Sequence, residues 1–161
     1  MDRSSEPLPV IPVLGAWVRG TLVGMALGLV VVFAVAAWLN PYDRDGEPLR
    51  METHRQIGLP PCTFKTLTGL PCPSCGMTTS FALLVRGDVV HSLRANWVGT
   101  LLALAGLAFL PWSLACVVRQ RSLFIVSMDK ALLWFLAVFL VLLLGRWTIV
   151  LAMASLGGTG P

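Results

Sequence analysis

Long apolar runs alternate with polar intervals along this chain, and the run lengths set the architecture. Residues 20–39, 98–118 and 131–151 are each close to the ~20 residues that a helix needs to cross ~30 Å of hydrocarbon. They divide the chain into a polar leader (1–19), the first span, a long interval (40–97), the second span, a short basic loop (119–130), the third span and a tail (152–161). Within the interval, 40–61 is rich in Pro, Gly and charge, with Asn40-Pro41 and Asp45-Gly46 as turn signals, and reads as irregular. Beyond it, Met77, Phe81, Leu84 and Val85 recur at helical spacing, which predicts a short amphipathic helix that Gly87 ends. Asp88 can then cap a second helix carrying Val89, Leu93 and Trp97 on one face and leading into the second span. Such a pair would lie on the membrane surface or dip into it. The expected fold is therefore all-α: an integral membrane protein with three transmembrane helices plus one or two short amphipathic helices after a cysteine loop.

Arg19, the apolar run and Ala34-Val35-Ala36 together mimic a signal peptide with a small-residue cleavage site. The leader is long for that and the run fills a bilayer, so retention as a helix is the reading adopted. Gly20, Gly24 and Gly28 line one face of the first span, a small-residue stripe that predicts close packing against Gly99 and Ala103 of the second, or self-association. Pro111, inside the second span, predicts a kink.

Composition agrees with this picture. Hydrophobic residues make up 56% and charged residues 12%, against about 25% charged in soluble domains. The net charge of +4 comes from basic residues scattered at the span ends, which suits membrane flanks and excludes nucleic acid as the expected partner. Arg3 and Arg19 precede the first span, and Arg119, Arg121 and Lys130 crowd the connection between the second and third. Short flanks weigh most in the positive-inside rule, so the N-terminus is expected in the cytoplasm and the cysteine loop outside. Trp38, Tyr42, Trp97 and Trp147 would then fall near one interface as an aromatic belt.

Candidate chemistry is confined to the interval. Leu70-Pro71-Cys72-Pro73-Ser74-Cys75-Gly76-Met77-Thr78 sets two thiols in a constrained turn, with Cys62 close upstream. Three readings stand side by side. Cys72 and Cys75 can form a redox pair, with Cys72 near a helix N-terminus that stabilises its thiolate and Cys62 as a relay. The thiolates can bind zinc, since Cys-Pro-x-Cys-Gly looks like half of a zinc ribbon, with Cys62 and His54 or His91 completing four ligands. Or a disulfide from Cys62 to Cys72 or Cys75 staples the loop, worth about 3 kcal/mol for a short closed loop, and leaves one thiol over. Cys116, inside the second span, reads as a small packing residue.

Phe64 to Thr78, then Leu83-Leu84-Val85-Arg86-Gly87-Asp88, then Asn96 before an apolar run, resemble the bacterial membrane family called domain of unknown function 2752. The resemblance runs roughly from residue 40 to the third span. It implies a small multi-pass protein of the bacterial cell membrane and no particular activity. The family's core continues with an Arg where this chain has Thr79, and has a Pro after its first cysteine where this chain has Thr63. The motif itself thus supplies no cation beside the thiols.

Arg146 lies near the outer end of the third span, where it can snorkel to the headgroups or pair with Asp88. His91 reads as a surface residue, and Thr78, Thr79 and Ser80 as hydroxyls that satisfy neighbouring polar groups. No nucleotide fingerprint, phosphate loop or paired-carboxylate site is present. The expected function is a non-enzymatic structural or partner-docking component of the membrane with a cysteine-stabilised loop. Its partners would be lipid and another membrane protein or a second copy, and its cofactor none or zinc. The rival is a membrane thiol-disulfide oxidoreductase using Cys72 and Cys75.

Overall fold

A computed structural model describes residues 15–120 and 128–156. The leader before residue 15, with Arg3, the stretch 121–127, with Arg121, and the tail beyond residue 156 lie outside the described residues. The described chain is all-α, with five helices and no strand: α1 (Ala16–Trp38), α2 (Thr63–Thr68), α3 (Met77–Val85), α4 (Val89–Arg119) and α5 (Met128–Ser155), with a 3-10 turn at Thr53–Ile57. Three helices, α1, α4 and α5, are long and apolar enough to cross a membrane. The C-terminal end of α1, the N-terminal end of α4 and the C-terminal part of α5 all meet the cysteine loop, so the loop sits at one end of the bundle.

The core forms where α3 enters the bundle. From Thr79 to Leu84 every residue of α3 is buried, and Phe81 stacks on Phe33 of α1 at 5.8 Å between ring centroids. Ala36, Leu84 and Ala103 complete the cluster. A surface-lying amphipathic helix is therefore not what this segment becomes. Its polar face is covered by α4, because small residues let the backbones close up: a Cβ on Gly99 would stand 2.5 Å from the Ser80 hydroxyl. Gly99 thus serves α3, and the expected packing of the α1 glycine stripe against α4 does not form. Gly20, Gly24 and Gly28 have nothing within 4 Å of where a Cβ would point.

Covering that face leaves hydroxyls in an apolar interior, and each finds a partner. Ser92 donates to the Ser80 carbonyl at 2.8 Å and shares a 2.7 Å bond with Thr100, while Thr53 and Thr79 share another at 2.7 Å. No buried side-chain nitrogen or oxygen among the described residues lacks a partner, as burial in low dielectric demands.

Two capping devices set the helix ends. Asp88 accepts from the His91 amide and starts α4, as its sequence position suggests. At the end of α1 the guanidinium of Arg86 reaches across to the Ala36 and Ala37 carbonyls (3.3 and 2.9 Å) while also holding Ala82. These are carbonyls that a helix C-terminus leaves without amide partners, and a cation there also suits the helix dipole.

Inside α4 the one residue outside helical angles is Asn96 (φ −160°, ψ 98°), and the backbone at Pro111, where a kink is expected, keeps helical angles. Asn96 is fully buried and behaves as an internal N-cap. Its Oδ1 accepts from the Gly99 amide at 3.0 Å, and its Nδ2 donates to the Cys75 carbonyl at 3.1 Å. The membrane-crossing part of α4 therefore starts at a residue that also holds the cysteine loop.

Asn96→Ala removes both bonds and strands a buried carbonyl, which costs about 1–3 kcal/mol beyond the lost cap of about 1 kcal/mol. Asn96→Ser retains the cap and loses only the reach to Cys75. Thermal unfolding in mild detergent is expected to rank wild type above Asn96→Ser above Asn96→Ala. Equal midpoints for the two variants would show that the bond to Cys75 contributes nothing.

Candidate functional site

The cysteine turn is built by main-chain bonds. The Cys75 amide donates to the Cys72 carbonyl (3.1 Å) and the Met77 amide to the Ser74 carbonyl (3.0 Å), with Gly76 at φ +83° between them and α3. Gly76 has no alternative: besides its left-handed backbone, a Cβ would stand 2.7 Å from the Ala95 carbonyl oxygen and 2.9 Å from that of Arg50. The remaining carbonyls of the turn are taken from outside. Trp147 Nε1 donates to Pro71 (3.0 Å), Arg146 to Pro73 (3.4 Å) and Asn96 to Cys75. Every carbonyl from residue 71 to 75 is thus engaged, and the thiols project from a fixed frame.

Arg146 also donates to the Ala95 carbonyl at 3.2 Å. That acceptor is open because the Gly99 amide, its partner in an unbroken helix, turns to Asn96 instead. Arg146 therefore neither snorkels free nor meets Asp88, which faces His91 and the Tyr42 hydroxyl. The position where the motif lacks a cation, Thr79, is spent on Thr53, and the cation at the turn comes from α5 instead. Trp147 adds an edge-to-face contact with Phe64 of α2 at 5.9 Å, so α5 is fastened to the loop by two adjacent side chains.

The three loop cysteines converge. The sulfurs of Cys62, Cys72 and Cys75 all lie within 4.8 Å of one another, with Cys72 and Cys75 3.1 Å apart. They are close enough to hold a metal ion. None is disulfide-bonded, and the fourth cysteine, Cys116, is buried in α4. The two thiols of the turn differ electrostatically. Burial works against charge on Cys72, yet hydrogen bonds from Ser74, Cys75 and Cys62 outweigh it and hold this thiol below its ordinary value. Cys75, desolvated and acting as donor to Cys72, is pushed up to about 12. One negative charge is readily carried, on Cys72.

The thiols open onto a cavity of about 600 Å³ whose other wall is α1, including Val31, Val32 and Val35. His54 lines the same cavity, as does Glu52. Hydrogen bonds from Lys65 and Arg55 hold the Glu52 carboxyl below the usual range. His91 stands apart from the cysteines, its Nδ1 2.8 Å from Asp88. The structure thus brings together Cys62, Cys72, Cys75 and, at the cavity wall, His54. It attaches Arg146 to the same turn and leaves His91 and the α1 glycines elsewhere. Asn96, Trp147 and Arg86 carry structural work that their residue types alone did not announce; a polar residue at the mouth of an apolar run was the available signal for Asn96.

In metal-free protein, iodoacetamide is expected to modify Cys72 first. Because its thiol is lowered, labelling should rise at a pH below that of an ordinary cysteine, while Cys75 stays protonated and largely unlabelled through mildly alkaline conditions. Peptide mass mapping after brief exposure at stepped pH checks this, and Cys75 labelled ahead of Cys72 would contradict the assigned asymmetry.

No curated protein and no solved structure matches the chain. Residues 62–110, which run from the first site cysteine through α3 and Asn96 into the membrane-crossing part of α4, match the family described as protein of unknown function DUF2752, the family that the cysteine core resembles.

Proposed function

We propose that this chain is a non-enzymatic, membrane-spanning component whose cysteine loop, on the external face, is stiffened for docking by one soft metal ion held on Cys62, Cys72 and Cys75. The observation that carries this reading is the convergence of an odd number of thiols at one point. A disulfide would use two and idle the third, and the turn it would staple is already held through its carbonyls. Three thiolates are a donor set for zinc. Zinc–sulfur bonds of about 2.3 Å place tetrahedral sulfurs about 3.8 Å apart, a spacing bracketed by the 3.1 Å pair and the 4.8 Å limit of the cluster. His54, which lines the same cavity, is a candidate for a fourth ligand. The cation of Arg146 beside the turn offsets the excess negative charge of a three-thiolate site.

A second reading is favoured by the cavity. Cys72 and Cys75 face an apolar space that reaches the lipid-facing side of α1, with room for a lipid-soluble two-electron acceptor of the quinone class. Oxidation would form one Cys72–Cys75 bond, and the two electrons and two protons released would pass to the acceptor.

Metal content and free-thiol count of protein purified anaerobically in mild detergent separate the two. Stoichiometric zinc in wild type, lost in Cys62→Ser as well as in Cys72→Ser and Cys75→Ser, is the expected result. A metal-free protein in which Cys62→Ser still forms and reduces the Cys72–Cys75 bond would overturn the metal reading in favour of thiol exchange.

A further inference from the structure

Beside the thiol cavity, and sharing Met51 and Cys75 with it, Arg50, Arg94 and Arg146 line a smaller cavity of about 190 Å³. They come from three separate segments: the irregular stretch before the 3-10 turn, the first part of α4 and the C-terminal part of α5. Their placement follows from packing already described. The Arg50 carbonyl is pressed against Gly76, Arg94 adjoins the Ala95 carbonyl on the other side of that glycine, and Arg146 is bonded to Ala95. Among the described residues no carboxylate lines the cavity. Arg146 spends its hydrogen bonds on two neutral carbonyls, and the guanidinium groups of Arg50 and Arg94 have no hydrogen bond or ion pair among the described residues. With the charge of Arg146 shared with the thiol site, Arg50 and Arg94 supply the uncompensated charge, and a concavity that carries it describes a binding site for an anion.

The rest of the wall says what kind. Trp97, Ile149 and Val150 continue the cavity along α4 and α5, and Ile149 is 58% exposed on the face that a membrane would cover. The site is thus cationic at the level of the loop and apolar towards the bilayer. Isolated arginines that snorkel would spread around the bundle; these three line one cavity. We infer that this cavity holds the phosphate group of an anionic phospholipid, its acyl chain lying along Ile149 and Val150. Guanidinium groups recognise phosphate through paired N–H donors, and three of them outmatch any neutral headgroup.

The test is native mass spectrometry of the full chain released from detergent, with phosphatidylglycerol and phosphatidylcholine in equal amounts. Wild type is expected to retain phosphatidylglycerol in preference, and Arg50→Gln/Arg94→Gln, which spares the anchoring Arg146, is expected to lower that preference roughly thirtyfold, as befits two lost interfacial cations. The lipid-free unfolding midpoint of the double variant should match wild type, since neither side chain holds the fold. Equal retention of both lipids by wild type, or an undiminished preference in the double variant, would overturn the site. A third arm adds inorganic phosphate alone: if it raises the unfolding midpoint as much as phosphatidylglycerol does at equal concentration, a lipid as the source of the phosphate is overturned.

Discussion

At Asn96 a helix about to cross the membrane leaves helical geometry for a single residue, and the hydrogen bonds released there organise what surrounds it. The Gly99 amide turns to the Asn96 side chain, the Ala95 carbonyl becomes free for Arg146, and the Asn96 amide group reaches Cys75. Three elements distant in sequence, the cysteine turn, the second span and the third span, are tied through adjacent backbone positions. The side chain is completely buried, so these bonds are shielded from water, and leaving any of them unmade is expensive. Restoring a continuous helix would return Ala95 to Gly99 and detach α5 from its main polar anchor.

Around this break the interior is more polar than its apolar boundaries suggest. Hydroxyls of Thr79, Ser80, Ser92 and Thr100 on α3 and α4, and of Thr53 in the 3-10 turn, sit fully buried and are paired. Such a network lets a helix with a polar face occupy the core, provided its neighbours are small enough to approach. It also makes the turn rigid before any ligand arrives. A thiol cluster on such a frame loses little conformational entropy when it takes up an ion, whereas thiols on a loose loop would first have to be ordered.

The three spans were legible because length and hydropathy are properties of residues, and Asp88 was legible as a cap because its preference is intrinsic to its side chain. The meeting of Cys62 with Cys72 and Cys75 was open to suspicion from spacing alone, though no spacing could say which would touch. What stayed hidden shares a cause. Arg146 bonds to the carbonyls of Pro73 and Ala95, and Trp147 to that of Pro71. A main-chain acceptor carries no residue identity, whereas a carboxylate such as that of Asp88 stands out in the sequence as a partner for a cation. Likewise the period of Met77, Phe81, Leu84 and Val85 identified a helix but could not say that Ser92 and Thr100 would cover its other face. The glycine stripe of α1 shows the converse limit: small residues permit close approach without compelling it, and within this chain Gly99 found a tighter neighbour in Ser80.

The grip on the cysteine turn through its carbonyls has a bearing on how the sequence can drift. Trp147 and Arg146 hold atoms that every amino acid possesses, so the side chain of Ser74, exposed at the crest of the turn, can change without loosening the frame, giving up only its hydrogen bond to the Cys72 thiol. Gly76, by contrast, is fixed by its backbone angle and by two carbonyls, and the thiols by their chemistry. A turn of this kind can vary what it shows to its surroundings, one residue away from atoms that must not move.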